Sequence, residues 1–98
     1  MNVIDAAKIY SFNQSDNSTL TFTLPTNTNA IIICNHPWDE YGRGAWFVYS
    51  GYTTNSCCIM QLVTPQRISV SKTADTTVKL TFQKGAVATI ICHDMTVI

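Results

Sequence analysis

Charged residues are scarce in this sequence, and neither sign dominates. Asp, Glu, Lys and Arg make up 12% of the 98 residues, about half of the usual share, and six basic residues balance six acidic ones. The basic residues are spread along the chain, at Lys8, Arg43, Arg67, Lys72, Lys79 and Lys84. Because duplex nucleic acids are bound through clusters of Lys and Arg, we expect no nucleic-acid partner.

Long apolar runs are also missing. The longest have five residues, Ala30 to Cys34 and Ala45 to Tyr49, whereas a membrane span needs about twenty. The first residues contain neither the basic region nor the apolar stretch of a signal peptide. We therefore expect no membrane partner, and synthesis in the cytoplasm followed by a place in a virion or outside the cell.

The four cysteines lack the spacing of a disulfide-rich secreted domain or of a zinc knuckle. Cys57 and Cys58 are adjacent, so in a strand they point to opposite faces. We expect all four cysteines to be reduced and packed as small hydrophobic side chains, with no metal and no cofactor. The alternative is a zinc site built from Cys34 and His36 together with Cys92 and His93.

Strand patterns dominate what is present. Leu20, Phe22 and Leu24 alternate with threonines, and comparable alternation recurs between Ile68 and Phe82. Turn residues separate such segments every eight to twelve positions, which is typical of sandwiches and barrels. The sequence predicts an all-β protein: one antiparallel, jelly-roll-like β-sandwich of about eight short strands over residues 1–98, with residues 1–7 as a lead-in.

The alternation also predicts which side chains form the core and how the chain closes. The inward positions are expected to be Leu20, Phe22, Leu24, Ile32, Val48, Leu80, Phe82 and Ile90. The last third is expected to be a meander, in which Lys84 and Gly85 form a two-residue type I′ hairpin turn. Trp46, inside an apolar strand, is expected in the core or in a subunit interface.

The irregular segment from Asn35 to Gly44 is the best candidate for binding. It concentrates Trp38, Tyr41 and Arg43, residue types that are frequent at interface hot spots. An exposed aromatic ring there could stack on a sugar, and Asp39 could accept hydrogen bonds from its hydroxyls. The alternative is that Trp38 folds back as a lid on the sandwich. We find no Gly-rich oxyanion loop beside a Cys–His pair, and we expect no enzyme activity.

Three segments together resemble a known family. They are Leu24 to Asn27 with the apolar strand that follows, the Gly–aromatic segment Gly44 to Tyr52, and the closing strands Ile68 to Ile91. In that order they are similar to the C-terminal β-sandwich domains of tail-fibre and related virion proteins of phages that infect gut bacteria. The resemblance implies a jelly-roll-like sandwich, a homotrimer and a place at the distal end of an adhesion device. Tyr52, at the end of the Gly–aromatic segment, completes the set of candidate binding residues.

The function expected from these observations is a non-enzymatic structural and adhesion module. It would bind a host-surface glycan or protein, or cap an assembly. The alternative is a free-standing bacterial carbohydrate-binding or adhesin-like module. Several strands are apolar at consecutive positions, so both of their faces are candidates for burial, and we expect the chain to self-associate. The count of three copies comes from the resemblance alone; whether the chain is a whole protein or one domain stays open.

Overall fold

The computed structural model describes residues 7–13, 18–51, 59–61 and 67–98, which form two antiparallel sheets. The strands are β1 (Lys8–Asn13), β2 (Ser18–Thr23), β3 (Asn29–Asn35), β4 (Gly44–Tyr49), β5 (Ile59–Gln61), β6 (Ser69–Ala74), β7 (Thr77–Phe82), β8 (Val87–Cys92) and β9 (Thr96–Val97). One turn of 3-10 helix, Glu40–Gly42, separates β3 from β4. Over these ranges no helix has the length and hydropathy that a membrane span requires. The prediction of an antiparallel sandwich of about eight short strands is confirmed.

The strand order mixes the two ends of the chain. One sheet has five strands in the order β1-β8-β3-β4-β5, and the other has four in the order β6-β7-β2-β9. The first strand thus pairs with the eighth and the second with the seventh. This wrapping of one chain end around the other is jelly-roll-like. β4 and β5, in contrast, simply extend the sheet of β3.

The core lies between the two sheets and follows the alternation of the strands. All eight predicted core positions are buried: Leu20, Phe22, Leu24, Ile32, Val48, Leu80, Phe82 and Ile90. Trp46 is 1% exposed and belongs to the same cluster, which confirms it as a core residue. Tyr10 and Phe12 of the edge strand β1 pack against the cluster from its margin.

The connection between β2 and β3 carries the chain from one sheet to the other. Asn27 adopts a left-handed conformation with φ 63°, which Asn tolerates better than most residues. Its amide donates to the carbonyl of Ser50 at 2.7 Å, and the Ser50 amide donates to Thr28 at 2.8 Å. The buried Ser50 hydroxyl is satisfied by the carbonyl of Leu24 at 3.3 Å.

The prediction of a hairpin at Lys84 and Gly85 is wrong. β7 belongs to the four-stranded sheet and β8 to the five-stranded sheet, so this turn crosses between sheets and the last third is not a simple meander. Gly85 has φ +85°, whereas Lys84 does not have positive φ, which a type I′ turn would require. The Ala86 amide donates to the Gln83 carbonyl at 3.0 Å and closes a turn over residues 83–86.

The register of the central strands separates the two Cys–His pairs. Cys34 lies opposite Ala88, and Cys92 lies opposite Ala30, four positions further along the same pair of strands. Four strand residues correspond to about 13 Å, so Cys34 and Cys92 can neither share a metal nor form a disulfide with each other. The zinc alternative therefore does not fit this fold. Cys57 and Cys58 lie outside the described residues.

Cys34 and Cys92 are both free and buried. Burial raises the pKa of the Cys34 thiol to about 12. Burial, reinforced by the nearby Asp94 carboxylate, also raises the pKa of the Cys92 thiol. Since the thiolate is the reactive form, neither cysteine has the character of a nucleophile at neutral pH.

Candidate functional site

Residues 36–43 connect β3 to β4 and form the segment that we call the 36–43 loop. Asp39 is the N-cap of its 3-10 turn: one carboxylate oxygen accepts from the Tyr41 amide at 2.9 Å. The Gly42 amide donates to the carbonyl of Asp39, and the Arg43 amide donates to that of Glu40. Asp is among the preferred residues at this position because its carboxylate satisfies amides that the turn leaves unpaired. The loop therefore has a defined backbone conformation.

His36 fixes the loop to the turn between β7 and β8. Its ring is buried, and Nδ1 accepts a hydrogen bond from the Trp38 amide at 3.1 Å. Nε2 lies 3.0 Å from the carbonyl oxygen of Lys84. A ring that accepts at Nδ1 must carry its proton at Nε2 when neutral, so Nε2 donates to Lys84. One side chain thus holds the backbone of both loops.

Close packing around His36 requires glycine. A Cβ atom on Gly42 would lie 2.9 Å from the His36 Cβ and 3.1 Å from Gln83 Oε1. Gly85, besides its positive φ, would bring a Cβ within 3.1 Å of His36 Nε2. The 36–43 loop and the 83–86 turn therefore approach each other too closely at these positions for larger residues.

Asp39 is the centre of a polar network. Its Oδ2 atom accepts from Arg67 Nη1 at 2.6 Å and from Gln83 Nε2 at 2.9 Å. The Asp39 side chain is only 16% exposed. The Gln83 hydrogen bond, the Tyr41 amide and the charge of Arg67 hold the pKa of this carboxyl below its usual value, against the opposing effect of its desolvation. Asp39 is therefore ionised and holds three parts of the chain together.

We expect this network to make the stability of the protein depend on pH in the acid range. A carboxyl with a lowered folded-state pKa stabilises the fold above its unfolded pKa of about 3.9, and that contribution is lost as the pH falls through the folded value. Replacing Asp39 with Asn should lower the unfolding temperature by a few degrees near pH 7, and the difference from the parent should shrink as the pH falls below about 3.9 and through the lower folded-state pKa. Thermal unfolding between pH 2 and 7 measures this.

Asp75→Asn is the matched control, because Asp75 is an exposed carboxylate in the turn between β6 and β7. Its unfolding temperature should follow that of the parent across the pH range. A difference between parent and Asp39→Asn that is the same at pH 2 and pH 7 would show that the carboxylate charge does not stabilise the loop.

Two arginines have different positions in the site. Arg43 turns back onto its own loop, where Nε donates to the His36 carbonyl at 2.8 Å and Nη2 donates to the Pro37 carbonyl at 3.1 Å. Arg67 places its guanidinium 5.8 Å from the centre of the Tyr41 ring, within the range of a cation–π contact. Arg43 thus stabilises the loop, and Arg67 orients the Tyr41 ring.

Trp38 is the most exposed large hydrophobic residue of the described chain. Its side chain is 89% exposed, which rules out the alternative that it covers the sandwich as a lid. Its backbone amide is nevertheless held by His36. Tyr41, on the same loop, is 42% exposed. The loop therefore displays two aromatic side chains on a fixed backbone.

A groove runs beside these residues. It has a volume of about 500 Å³ and is lined by Arg67, Thr81, Phe82, Gln83 and Lys84. Arg67 and Gln83 are also the donors to Asp39, so the groove adjoins the loop directly. Within the described chain, the Gln83 Oε1 atom is buried and has no hydrogen-bond partner.

The predicted binding residues thus differ in whether their side chains are exposed to solvent or bonded within the site. Trp38 and Tyr41 are displayed, whereas Asp39 and Arg43 hold the loop together. Tyr52 lies outside the described residues. Sequence reasoning treated His36 only as a candidate zinc ligand, and it missed Arg67 and Gln83, which meet the loop only through the fold. The single usable signal was His36, a histidine two positions beyond a buried Cys34 and therefore expected to face the same side.

Comparisons with known proteins give one likeness of fold. No family model matches this sequence, and no curated protein matches it. Among solved structures, the fold is similar to part of a tailspike protein, gp49, of Acinetobacter baumannii bacteriophage Fri1, described as a capsular polysaccharide depolymerase. The TM-score is 0.58 at 14% sequence identity, and the match covers 99% of this chain and 20% of the tailspike. This chain therefore spans about a fifth of the tailspike's length, and the likeness shows the fold alone.

Proposed function

We propose that this chain is a phage tail-associated adhesion module that binds a host-surface polysaccharide without cleaving it and acts as a homotrimer in the virion. The observation that carries the proposal is Trp38, an 89% exposed indole on a loop whose backbone is fixed by partly buried hydrogen bonds. The resemblance of the sequence to virion proteins of gut-bacterial phages makes the surface of a gut bacterium the expected target.

The chemistry of the loop favours a sugar ligand. The flat apolar face of a pyranose ring packs on an aromatic ring, and Trp38 and Tyr41 offer two such rings. The adjoining groove offers Arg67 and Thr81 as hydrogen-bonding groups toward hydroxyls. Because the loop is already ordered, little conformational entropy is lost when a ligand binds.

The environment of Asp39 does not suit the general acid of a glycoside hydrolase. Hydrolysis of a glycosidic bond needs one carboxylic acid that donates a proton to the leaving oxygen, and such a group usually has a raised pKa. Asp39 has the opposite environment, because its hydrogen bonds and Arg67 hold its pKa below the usual value. We therefore assign Asp39 to loop structure rather than to catalysis.

Binding to a microarray of purified bacterial surface polysaccharides tests the proposal. The parent chain should bind at least one polysaccharide. Trp38→Ala should weaken that binding by about tenfold or more, as expected for a central aromatic contact. Trp38→Tyr keeps an aromatic ring and should retain part of the affinity.

Because the Trp38 side chain is almost fully exposed, neither substitution should alter the fold. Circular dichroism and the unfolding temperature measure this. Equal binding by the parent and Trp38→Ala would remove the loop as the binding site. Release of oligosaccharides from a bound polysaccharide would contradict the non-enzymatic part of the proposal.

A further inference from the structure

The outer face of the five-stranded sheet carries a row of apolar side chains in register. Ile31 of β3 lies opposite both Phe47 of β4 and Ile91 of β8, and Ile91 also lies opposite Ile9 of β1. Ile9 is 71% exposed and Ile31 is 39% exposed. Four neighbouring strands therefore present large apolar side chains along one line across the outer face of the sheet.

The rest of this face is also without charge. Ile33, 41% exposed, lies opposite Ala45 on one side and Thr89 on the other. On β1, β3, β4 and β8 the outward positions are Ile9, Ser11, Asn13, Asn29, Ile31, Ile33, Asn35, Ala45, Phe47, Tyr49, Val87, Thr89 and Ile91. None of these side chains is ionisable near neutral pH. We call this surface the apolar face.

The outer face of the four-stranded sheet has a different composition from the apolar face. On the central strands β2 and β7 of the four-stranded sheet, the outward positions are Thr19, Thr21, Thr23, Thr77, Lys79 and Thr81. That face has the polar character expected of a sheet in contact with water. The two outer faces of one chain thus differ, and only one of them has the composition of a buried surface.

We propose that the apolar face is the contact surface between copies of this chain. This inference rests on the self-association in the proposed function and goes beyond it by assigning a surface. The formal net charge of the chain is zero, so copies do not repel each other. The face offers no cation to an anionic glycan, but its amides at Asn13, Asn29 and Asn35 both donate and accept and so match those of a second copy.

The apolar face has about half of the area that each partner of a standard interface contributes. Each outward residue covers roughly 33 Å² of sheet plane, so the outward positions cover about 400 Å² per copy. A standard interface buries about 800 Å² per partner, with an apolar centre and a polar rim. The apolar face therefore supplies the centre of such an interface, and residues around the sheet supply the rim. Burial between copies also removes an exposed patch that would otherwise favour aggregation.

A lysine placed on either outer face tests the assignment. Ile31→Lys puts a charge at the middle of the apolar face, and Ile9→Lys puts one at its most exposed isoleucine. Thr19→Lys places the same charge on the polar face as a matched control. Analytical ultracentrifugation from 1 to 100 µM should give the parent and Thr19→Lys the mass of several 10.9 kDa chains, and both isoleucine variants the mass of one.

Two contrary results have different meanings. A parent with the mass of one chain at 100 µM overturns both the apolar face and the homotrimer of the proposed function. A multimeric parent whose isoleucine variants are equally multimeric overturns the apolar face alone. If Ile31→Lys does not fold, Ile9→Lys decides the matter, since its side chain is largely solvated in the single chain. Polysaccharide binding through Trp38 is a separate measurement, so its failure is distinguishable from either.

Discussion

Phe82→Ala should lower the free energy of unfolding by about 3–5 kcal/mol, a large part of the 5–15 kcal/mol that holds a typical domain together. Phe82 is 1% exposed and lies at the end of β7 that leads to the 83–86 turn. Its truncation removes the transfer free energy of the ring and leaves a cavity between the sheets. Denaturant unfolding followed by circular dichroism measures the change.

Lys79→Ala is the control for this prediction. Lys79 lies on the same strand but on the outward face, where it is exposed. Its substitution should change the free energy of unfolding by less than about 0.5 kcal/mol. If Phe82→Ala unfolded at the same denaturant concentration as Lys79→Ala, the inward and outward faces of β7 would have been assigned wrongly.

Gly42→Ala should both destabilise the protein and weaken polysaccharide binding, although Gly42 is buried and touches no ligand in our proposal. The added methyl group would lie 2.9 Å from the His36 Cβ, which is closer than side chains approach. His36 has little freedom to move, because both ring nitrogens are engaged. We expect a loss of about 1–3 kcal/mol in unfolding free energy, the usual cost of overpacking. Denaturant unfolding and the polysaccharide microarray measure the two effects.

Glu40→Ala changes an exposed residue of the same 3-10 turn and should leave both stability and binding close to those of the parent. A Gly42→Ala variant with unchanged stability would mean that the loop and the 83–86 turn are not in close contact. Unchanged polysaccharide binding despite lower stability would mean that the position of His36 does not affect how Trp38 contacts the ligand.

The sequence allowed the strands and the core to be predicted because both follow from local alternation. Leu20, Phe22 and Leu24 alternate with threonines, and that pattern alone places them inward. The two tryptophans were also distinguishable in part. Trp46 lies within an apolar strand, whereas Trp38 lies between Pro37 and two acidic residues, in a segment with no strand pattern.

The connection after β7 could not be predicted in the same way. Lys84 and Gly85 have the local composition of a hairpin turn, but whether two strands pair depends on which sheet each joins. β8 pairs with β1 along one edge and with β3 along the other, and so it joins the five-stranded sheet instead of pairing with β7. Such pairings are set by the packing of distant segments, which no local pattern contains.

The same reason explains what was missed at the site. Asp39 is an acidic residue in an irregular segment with exposed-type aromatic neighbours, and the sequence therefore indicated a ligand-binding role. Its partners Arg67 and Gln83 are 28 and 44 residues away in the chain. Only the fold brings Arg67 and Gln83 to the carboxylate of Asp39. Because these contacts engage the carboxylate, Asp39 stabilises the 36–43 loop and is not a ligand-binding residue in our proposal.

The proposed function depends on the exposed Trp38 and its fixed loop, and the quenching of tryptophan fluorescence by acrylamide measures that exposure. Trp46 is 1% exposed and Trp38 is 89% exposed, so the parent should contain one protected and one quenchable fluorophore. Trp38→Phe should retain only the protected one. A saturating concentration of a polysaccharide that the parent binds should protect Trp38 from acrylamide and shift its emission to shorter wavelength. Quenching of Trp38 that is unchanged by the bound polysaccharide would show that Trp38 does not contact the ligand.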